Sequence, residues 1–313
     1  MKVFGPVPSR RLGQSLGINN IPPKTCSYSC IYCQIGRTNC MQITRSSFYK
    51  PEVLLLETKT KLAALKNTNK KIDFISFVPD GEPTLDKNLG TEICLLKQFG
   101  IKIAVITNAS LLWMDSVKSD LMHADWVSIK IDTVDNDIWH KIDRPHGCLD
   151  IEKNLTGIKD FTKHFNGTLV TETMLLKNKN DAQENIKQIG AFLSQIKPAC
   201  AYLLTPTRPP AESSIRPIEK ETLSNLCTIL NHAAGIPVHC IAAEDTNNFF
   251  TTNDIVTDLL SIMSVHPMRE DILKNLLYEK KYSEDVLQHL IKQEIIKEIT
   301  YENNKFYMKN LNN

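Results

Sequence analysis

Short, β-branched apolar runs recur from about residue 50 to 240 and alternate with longer amphipathic stretches. The runs are IDFISFV (72–78), IKIAVIT (101–107), WVSIKID (126–132), TLVTETML (168–175) and CAYLLT (200–205). Each has the length and composition of a buried strand. Between and around them lie stretches of helical period at 52–66, 88–98, 111–121, 150–164, 181–195 and 219–233. Strand followed by helix at this spacing predicts βα units and a parallel sheet. Six such units predict an α/β fold of partial (β/α)6 TIM-like barrel type, with its chemistry at the C-terminal ends of the strands.

The pattern changes after residue 245. AEDTNNFFTTND is polar and reads as a linker ending in an N-cap at Asn253 or Asp254. Three short amphipathic helices are predicted at 254–264, 269–278 and 282–292, the last capped by Ser283. Strands at 295–300 and 305–308 follow, joined by a YENN turn. Three helices and a hairpin predict a winged helix, which divides the chain into a domain at 1–245 and a winged-helix domain at 246–313.

Composition adds little to this picture. The 313 residues are 42% hydrophobic and 23% charged, with a net charge of +2, the balance of an ordinary globular protein rather than of a strongly basic nucleic-acid binder. The opening MKVFGPVPSRRLG has no apolar core of a signal peptide, and no apolar run approaches the length of a membrane span. A cytoplasmic protein without membrane contact is expected. The nine cysteines are then expected as thiols, and three of them within eight residues suggest a metal before a disulfide. Charge is unevenly placed: residues 1–51 contain no Asp or Glu but carry Lys2, Arg10, Arg11, Lys24, Arg37, Arg45 and Lys50.

Two motifs carry chemistry. In KTCSYSCIYCQIGRT the cysteines Cys26, Cys30 and Cys33 are spaced C-x3-C-x2-C. Three thiolates on one loop can bind three irons of a four-iron cluster and leave the fourth open. A zinc site completed by Cys40 or a distant histidine is the alternative. In VPDGEPTLD (78–86), directly after the first strong strand, a Gly-Glu-Pro turn offers backbone carbonyls and one carboxylate, acceptors that suit an ammonium group. The plainer reading is a turn fixed by proline.

The triad followed about fifty residues later by a strand and GEP resembles the radical S-adenosylmethionine superfamily. More narrowly, GPVPSRRLG, IPPKTC, CIYCQIGRT, VPDGEPTL, TNASLLW, IDRPH and TPTRPPAE look like one uncharacterised branch, similar to but distinct from the wyosine-forming tRNA enzymes. The resemblance covers essentially the whole chain. It implies an enzyme with a 4Fe-4S cluster and S-adenosylmethionine as cofactors, which cleaves the cofactor reductively to make a radical. It implies an electron donor such as flavodoxin or ferredoxin, and an unidentified substrate, either RNA such as tRNA or a peptide or protein. On this resemblance Cys26, Cys30 and Cys33 would hold the cluster and Tyr32 would set its backbone against the adenine. Gly81, Glu82 and Pro83 would receive the methionine ammonium. Asn108, Ser128, Lys130 and Asp132 would lie where the ribose and carboxylate are held, with Thr173 and Thr205 at later strand ends. Where many members carry GGE, this chain has Asp80-Gly81-Glu82-Pro83.

Other residues admit plainer roles. Lys24 and Arg37 flank the triad and can compensate an anionic cluster, while Arg10 and Arg11 are better placed for substrate. Arg144-Pro145-His146 and Arg208-Pro209-Pro210 are expected on loops at the barrel mouth, His146 being the histidine to test for proton transfer. Cys94, Cys200, Cys227 and Cys240 read as core. Residues 253–313 carry eight Lys/Arg against ten Asp/Glu, which makes DNA binding by the winged helix unfavourable and a protein contact the better expectation. The non-enzymatic alternative is a zinc-stabilised winged-helix regulator.

Overall fold

Five of the apolar runs become the middle of one eight-stranded sheet in the computed structural model, which describes residues 2–65, 71–241 and 255–310. The chain opens with a hairpin of β1 (Val3–Ser9) and β2 (Gly13–Ile18), followed by the two-residue strands β3 (Thr25–Cys26) and β4 (Cys40–Met41) that brace a loop. Helix α1 (Pro51–Leu65) and strand β5 (Phe74–Phe77) come next. Then α2 (Leu89–Leu96), β6 (Lys102–Thr107), α3 (Asp115–Leu121) and β7 (Trp126–Lys130) alternate. After α4 (Asn136–Ile142) and α5 (Ile151–His164) come β8 (Thr168–Met174), α6 (Gln183–Ile196), β9 (Cys200–Leu204), α7 (Lys220–Ala234) and β10 (Val238–Ile241). The sheet order is β1-β2-β5-β6-β7-β8-β9-β10. Every neighbouring pair is parallel except β1 with β2.

The alternation of strand side chains sorts two faces. Ile75, Phe77, Ile103, Val105, Val127, Ile129, Ala201 and Leu203 point into the main core beneath the helices. The intervening residues Phe74, Ala104, Trp126, Val170 and Cys200 form a smaller cluster on the other face. That second face also bears Ser76, Lys130 and Glu172, and these border a cavity of about 380 Å³. Helix starts follow ordinary capping: Asp135 accepts from Ile138 N and Asp150 from Lys153 N, both at 2.8 Å.

The C-terminal residues build a separate core. It comprises α8 (Ile255–Val265), β11 (Met268–Arg269), α9 (Glu270–Glu279), α10 (Asp285–Lys292), β12 (Ile296–Tyr301) and β13 (Asn304–Lys309), the strands pairing in the order β11-β13-β12. Ile262, Leu273, Leu276, Leu290 and Tyr307 fill it. The N-cap position of α10 is Glu284, whose side chain makes no capping bond, while the hydroxyl of Ser283 one residue earlier accepts from Asp285 N at 3.2 Å. The expected cap at Asn253 or Asp254 lies outside the described residues. Among the described residues no helix is long and apolar enough to cross a membrane.

Three expectations are corrected, and Arg45, which had no role from the sequence, acquires one. The N-terminal hairpin, α4 and β10 are elements where none was predicted. Cys227 and Cys240 form a disulfide between α7 and β10, so not every cysteine is a thiol. Cys94 is exposed rather than core, because it falls on the outer side of α2. Arg45 is structural: its Nε and Nη2 donate to the carbonyls of Thr84 and Asp86 at 2.9 and 2.7 Å, and it pairs with Asp120.

Candidate functional site

The cavity lies at the C-terminal ends of the parallel strands and gathers residues far apart in sequence. The loop of residues 26–33 brings Cys26, Cys30 and Cys33, all half-buried, to its wall. Backbone bonds fix that loop: Ile31 N donates to Ile142 O at 2.9 Å, and Cys33 N to Cys30 O at 3.2 Å. The Gly81 turn is sewn to the same loop, with Lys24 N donating to Asp80 O at 2.6 Å and Glu82 N to Thr25 O at 3.1 Å. A Cβ on Gly81 would collide with the Thr25 carbonyl oxygen, so this close backbone approach requires glycine.

Glu82 is buried and its carboxylate is held by four donors. Oε1 accepts from Thr84 N at 3.1 Å and from the hydroxyls of Thr84 and Thr107 at 2.6 Å, while Oε2 accepts from Asn108 N at 2.8 Å. Burial raises its pKa and the four hydrogen bonds oppose that rise. Asn108 Nδ2 donates to Ser27 Oγ at 2.9 Å and to Cys26 Sγ at 3.6 Å. Burial, with Glu82 nearby, pushes the Cys26 thiol to about 12, and burial also raises Cys30 and Cys33. Thiolates here therefore need a strong positive partner.

A second polar network adjoins the loop. Tyr32 OH donates to Asp132 and lies 3.0 Å from Asp143 Oδ1, while Cys30 Sγ donates to Asp143 Oδ1 at 3.3 Å. Burial and the neighbouring Asp132 push the Asp143 carboxyl well above the usual range. Lys130 Nζ stands 4.6 Å over the Tyr32 ring and 3.9 Å from Asp132 Oδ2.

Of the residues expected from sequence, Cys26, Cys30, Cys33, Tyr32, Gly81, Glu82, Asn108, Lys130 and Thr205 border the large cavity. Asp132 borders a small adjoining pocket together with Tyr32, Asn108 and Lys130. Ser128 is one step behind, bonded to Glu172, and Pro83 starts the short helical turn after Glu82. Thr173 is buried with its hydroxyl donating to Ile131 O at 2.6 Å. His146 is not among the residues bordering the cavity, although its N donates to Ser27 O in the cysteine loop at 2.9 Å; its Nδ1 accepts from Cys148 N at 3.2 Å, and Arg144 pairs with Glu212. Three cavity or network residues were given no role from the sequence: Asp143 and Gln34, although both lie in the quoted motifs IDRPH and CIYCQIGRT, and Glu172, which pairs with Arg11.

The donor set fits a polynuclear cluster. One zinc draws thiolates to about 2.3 Å from a single point. Among the described residues no three His, Cys, Asp or Glu side chains are grouped closely enough to hold a single ion as they stand. Three thiols instead share a walled cavity with a carboxylate and an amide close by.

Comparison with known proteins agrees with this chemistry. Residues 20–189 match the Radical SAM superfamily. The chain is 42% identical to the UPF0026 protein MJ1312 of Methanocaldococcus jannaschii, over 98% of this chain and 96% of that one. Its fold is similar to a radical SAM methyltransferase from Sphaerobacter thermophilus, with TM-score 0.57 and 14% identity over 74% of this chain and 67% of that one. It is also similar to a structure of TYW1 with a lysine-pyruvate adduct bound, with TM-score 0.51 and 17% identity over 70% of this chain and 73% of that one. The superfamily uses a 4Fe-4S cluster and S-adenosylmethionine, and this chain, an enzyme of that class, belongs to the radical SAM superfamily.

Proposed function

We propose that this protein cleaves S-adenosylmethionine reductively at the cavity and uses the resulting radical to modify a substrate that enters there. The observation that carries the reading is the opening of three half-buried thiols, the Gly81 turn and the Asn108 amide onto one cavity at the strand ends. Cys26, Cys30 and Cys33 would hold the cluster, and Gly81, Glu82 and Pro83 would receive the methionine ammonium. Tyr32, Asn108, Ser128, Lys130, Asp132 and Thr173 would orient the remainder of the cofactor, Ser128 and Thr173 from behind the wall. When bound, the cluster supplies an electron and the sulfonium a cleavable C–S bond, from which the radical arises.

The residues of this chain bind, orient and exclude water. Glu82 is immobilised by four hydrogen bonds, so a cation meeting it needs no reorganisation of the carboxylate. Lys130 places a positive charge beside the cysteine loop, and burial with Asp132 nearby favours the neutral form of Asp143. The eight-stranded sheet is read as a partial barrel, since residues of both edge strands border one cavity. Residues 246–313 are read as a winged-helix domain, on three helices and a three-stranded sheet with the hairpin β12–β13.

RNA such as tRNA is the substrate favoured by the basic residues at the cavity wall, Arg10, Arg11, Lys24 and Arg208. A peptide or protein is favoured instead by the acidic C-terminal unit. Recovery of tRNA with the protein from cell extract at moderate salt supports the first and its absence the second. The central claim is tested by anaerobic reconstitution, reduction and product analysis with S-adenosylmethionine. A brown iron–sulfur chromophore and cofactor cleavage, both lost in Cys30→Ala, are expected. Cleavage that persists in Cys30→Ala, or no chromophore in the wild type, overturns it.

A further inference from the structure

Three stretches that stand out in the sequence, CIYCQIGRT, IDRPH and TPTRPPAE, meet at the cysteine loop through one residue of each: Arg37, Arg144 and Glu212. Glu212 Oε1 accepts from Arg37 Nη2 at 3.3 Å and from Arg144 Nη1. The Glu212 backbone is tied to the same place, its N donating at 3.0 Å to the carbonyl of Ile31, which lies between Cys30 and Cys33. None of the three residues borders the large cavity, so the bridge is not a wall that substrate would touch. Hydrogen bonding to Arg144 holds the Glu212 carboxyl below the usual carboxylate range, which keeps it charged between the two guanidinium groups.

The cysteine loop is gripped from two segments. Residues 142–146 hold it through the backbone: Ser29 N donates to the carbonyls of Asp143 and Arg144 at 3.0 and 3.1 Å, and His146 N to Ser27 O at 2.9 Å. The loop after β9 holds it through Glu212 and through Ile215, which shares a buried cluster with Ile31, Ile142 and Leu176. That loop also borders the cavity through Thr205, Pro206, Thr207 and Arg208, so Glu212 ties the cysteine loop to a segment of the cavity wall. Arg144 itself has φ of +46°, a left-handed backbone that a residue with a long side chain rarely adopts. Glycine or asparagine would hold this conformation with less strain. An arginine is accounted for here by what its guanidinium reaches, and strain of this kind persists where the surroundings over-determine it. Three thiols bind one cluster best if they are held converged beforehand, because any ordering left to the metal is subtracted from its affinity.

We propose that Glu212 is a positioning residue for the cysteine loop: by bridging Arg37 and Arg144 it latches residues 26–37 in the conformation that receives the cluster. Its importance to the reaction rests on the reading of Cys26, Cys30 and Cys33 as cluster ligands, while the latch itself is measurable without the cluster.

The test is timed alkylation of the anaerobic, cofactor-free full-length protein with iodoacetamide, read cysteine by cysteine by peptide mass. Half-buried thiols react through local opening, so their rates report how tightly the loop is held. Glu212→Gln should speed Cys30 and Cys33 by about three- to tenfold. Arg144→Asn, which tolerates the left-handed backbone but lacks the guanidinium, should do the same. Glu212→Asp, with its charge on a shorter arm, should fall between wild type and Glu212→Gln. Lys177→Gln, which breaks the exposed ion pair with Glu219, should leave both rates unchanged. Cys200, half-buried in β9, is the internal reference and should not change in any variant. Unmoved rates at Cys30 and Cys33 in Glu212→Gln and Arg144→Asn overturn the proposal, and so does equal acceleration at Cys200, which would mark loosening of the whole sheet. Iron release to a chelator from separately reconstituted protein should quicken in the same order. Variants that quicken alkylation in a protein that takes up no cluster sink the radical reading alone. A cluster that forms, with thiol rates unmoved by the variants, sinks the latch alone.

Discussion

Asp86 and Glu92 show how a buried polar pair reads at the scale of single residues. Both are buried, Asn20 Nδ2 donates to Glu92 Oε2 at 3.3 Å, and Arg45 Nη2 donates to the Asp86 carbonyl. Asp86 Oδ2 and Glu92 Oε1 have no donor among the described residues, the arrangement expected when the two carboxyls share a proton. Burial, and then the charge of Asp86, pushes the Glu92 carboxyl up. The folded state thus keeps a proton that the unfolded chain releases above about pH 4.3. Stability from this pair is fully present below that pH and declines as pH rises through the raised folded value. Glu92→Gln supplies a neutral donor in place of the proton and keeps an oxygen for Asn20. The variant should match wild type near pH 4 and exceed it by ~1–3 kcal/mol at pH 8, as measured by denaturant unfolding at both pH values. An unchanged pH slope would show that no proton is shared.

The elements differ in how legible they were, and the reasons are physical. Strands β5 to β9 were legible because both their faces are covered, so each is an apolar run of strand length. The hairpin β1–β2 was hidden by Gly5, Pro6 and Pro8, which argue against a strand. They are tolerated because β1 is an edge strand with an irregular register between Phe4 and Val7. β10 is four residues long at the other edge and half-exposed, too short and too polar to register. The cysteine loop and the Gly81 turn were legible because their chemistry is local in sequence. The roles of Gln34, Asp143 and Glu172 were not, because each depends on a partner more than a hundred residues away: the Val265 carbonyl, Cys30 and Arg11. Helix α5 illustrates a local signal with a stability consequence. Asp150 caps it through Lys153 N, and Asp150→Ala should cost ~1 kcal/mol. Thermal or denaturant melting that shows no loss would mean the cap is replaced by water.

Across the whole molecule, polar and apolar contacts join two separate cores. The main core and the C-terminal core are separate clusters, and the polar links between them include Lys61 with Asp258 at 2.7 Å and Gln34 with the Val265 carbonyl at 2.8 Å. Asp258 and Val265 both lie on α8, and Val7 of β1 packs against the same unit. Both polar links are partly buried, so each is worth more than an exposed pair, about 1–2 kcal/mol. Loss of both should loosen α8 while leaving the sheet intact, because local opening draws on local contacts rather than on the global free energy. Amide hydrogen exchange on the full-length double variant Gln34→Ala/Lys61→Ala is the measurement. Exchange in residues 255–265 should accelerate by roughly ten- to a hundredfold, with strands β5 to β9 unchanged. Uniform acceleration throughout would mean that the two cores unfold as one unit. No acceleration would mean that apolar contact through Val7 suffices to hold the C-terminal unit against the cavity.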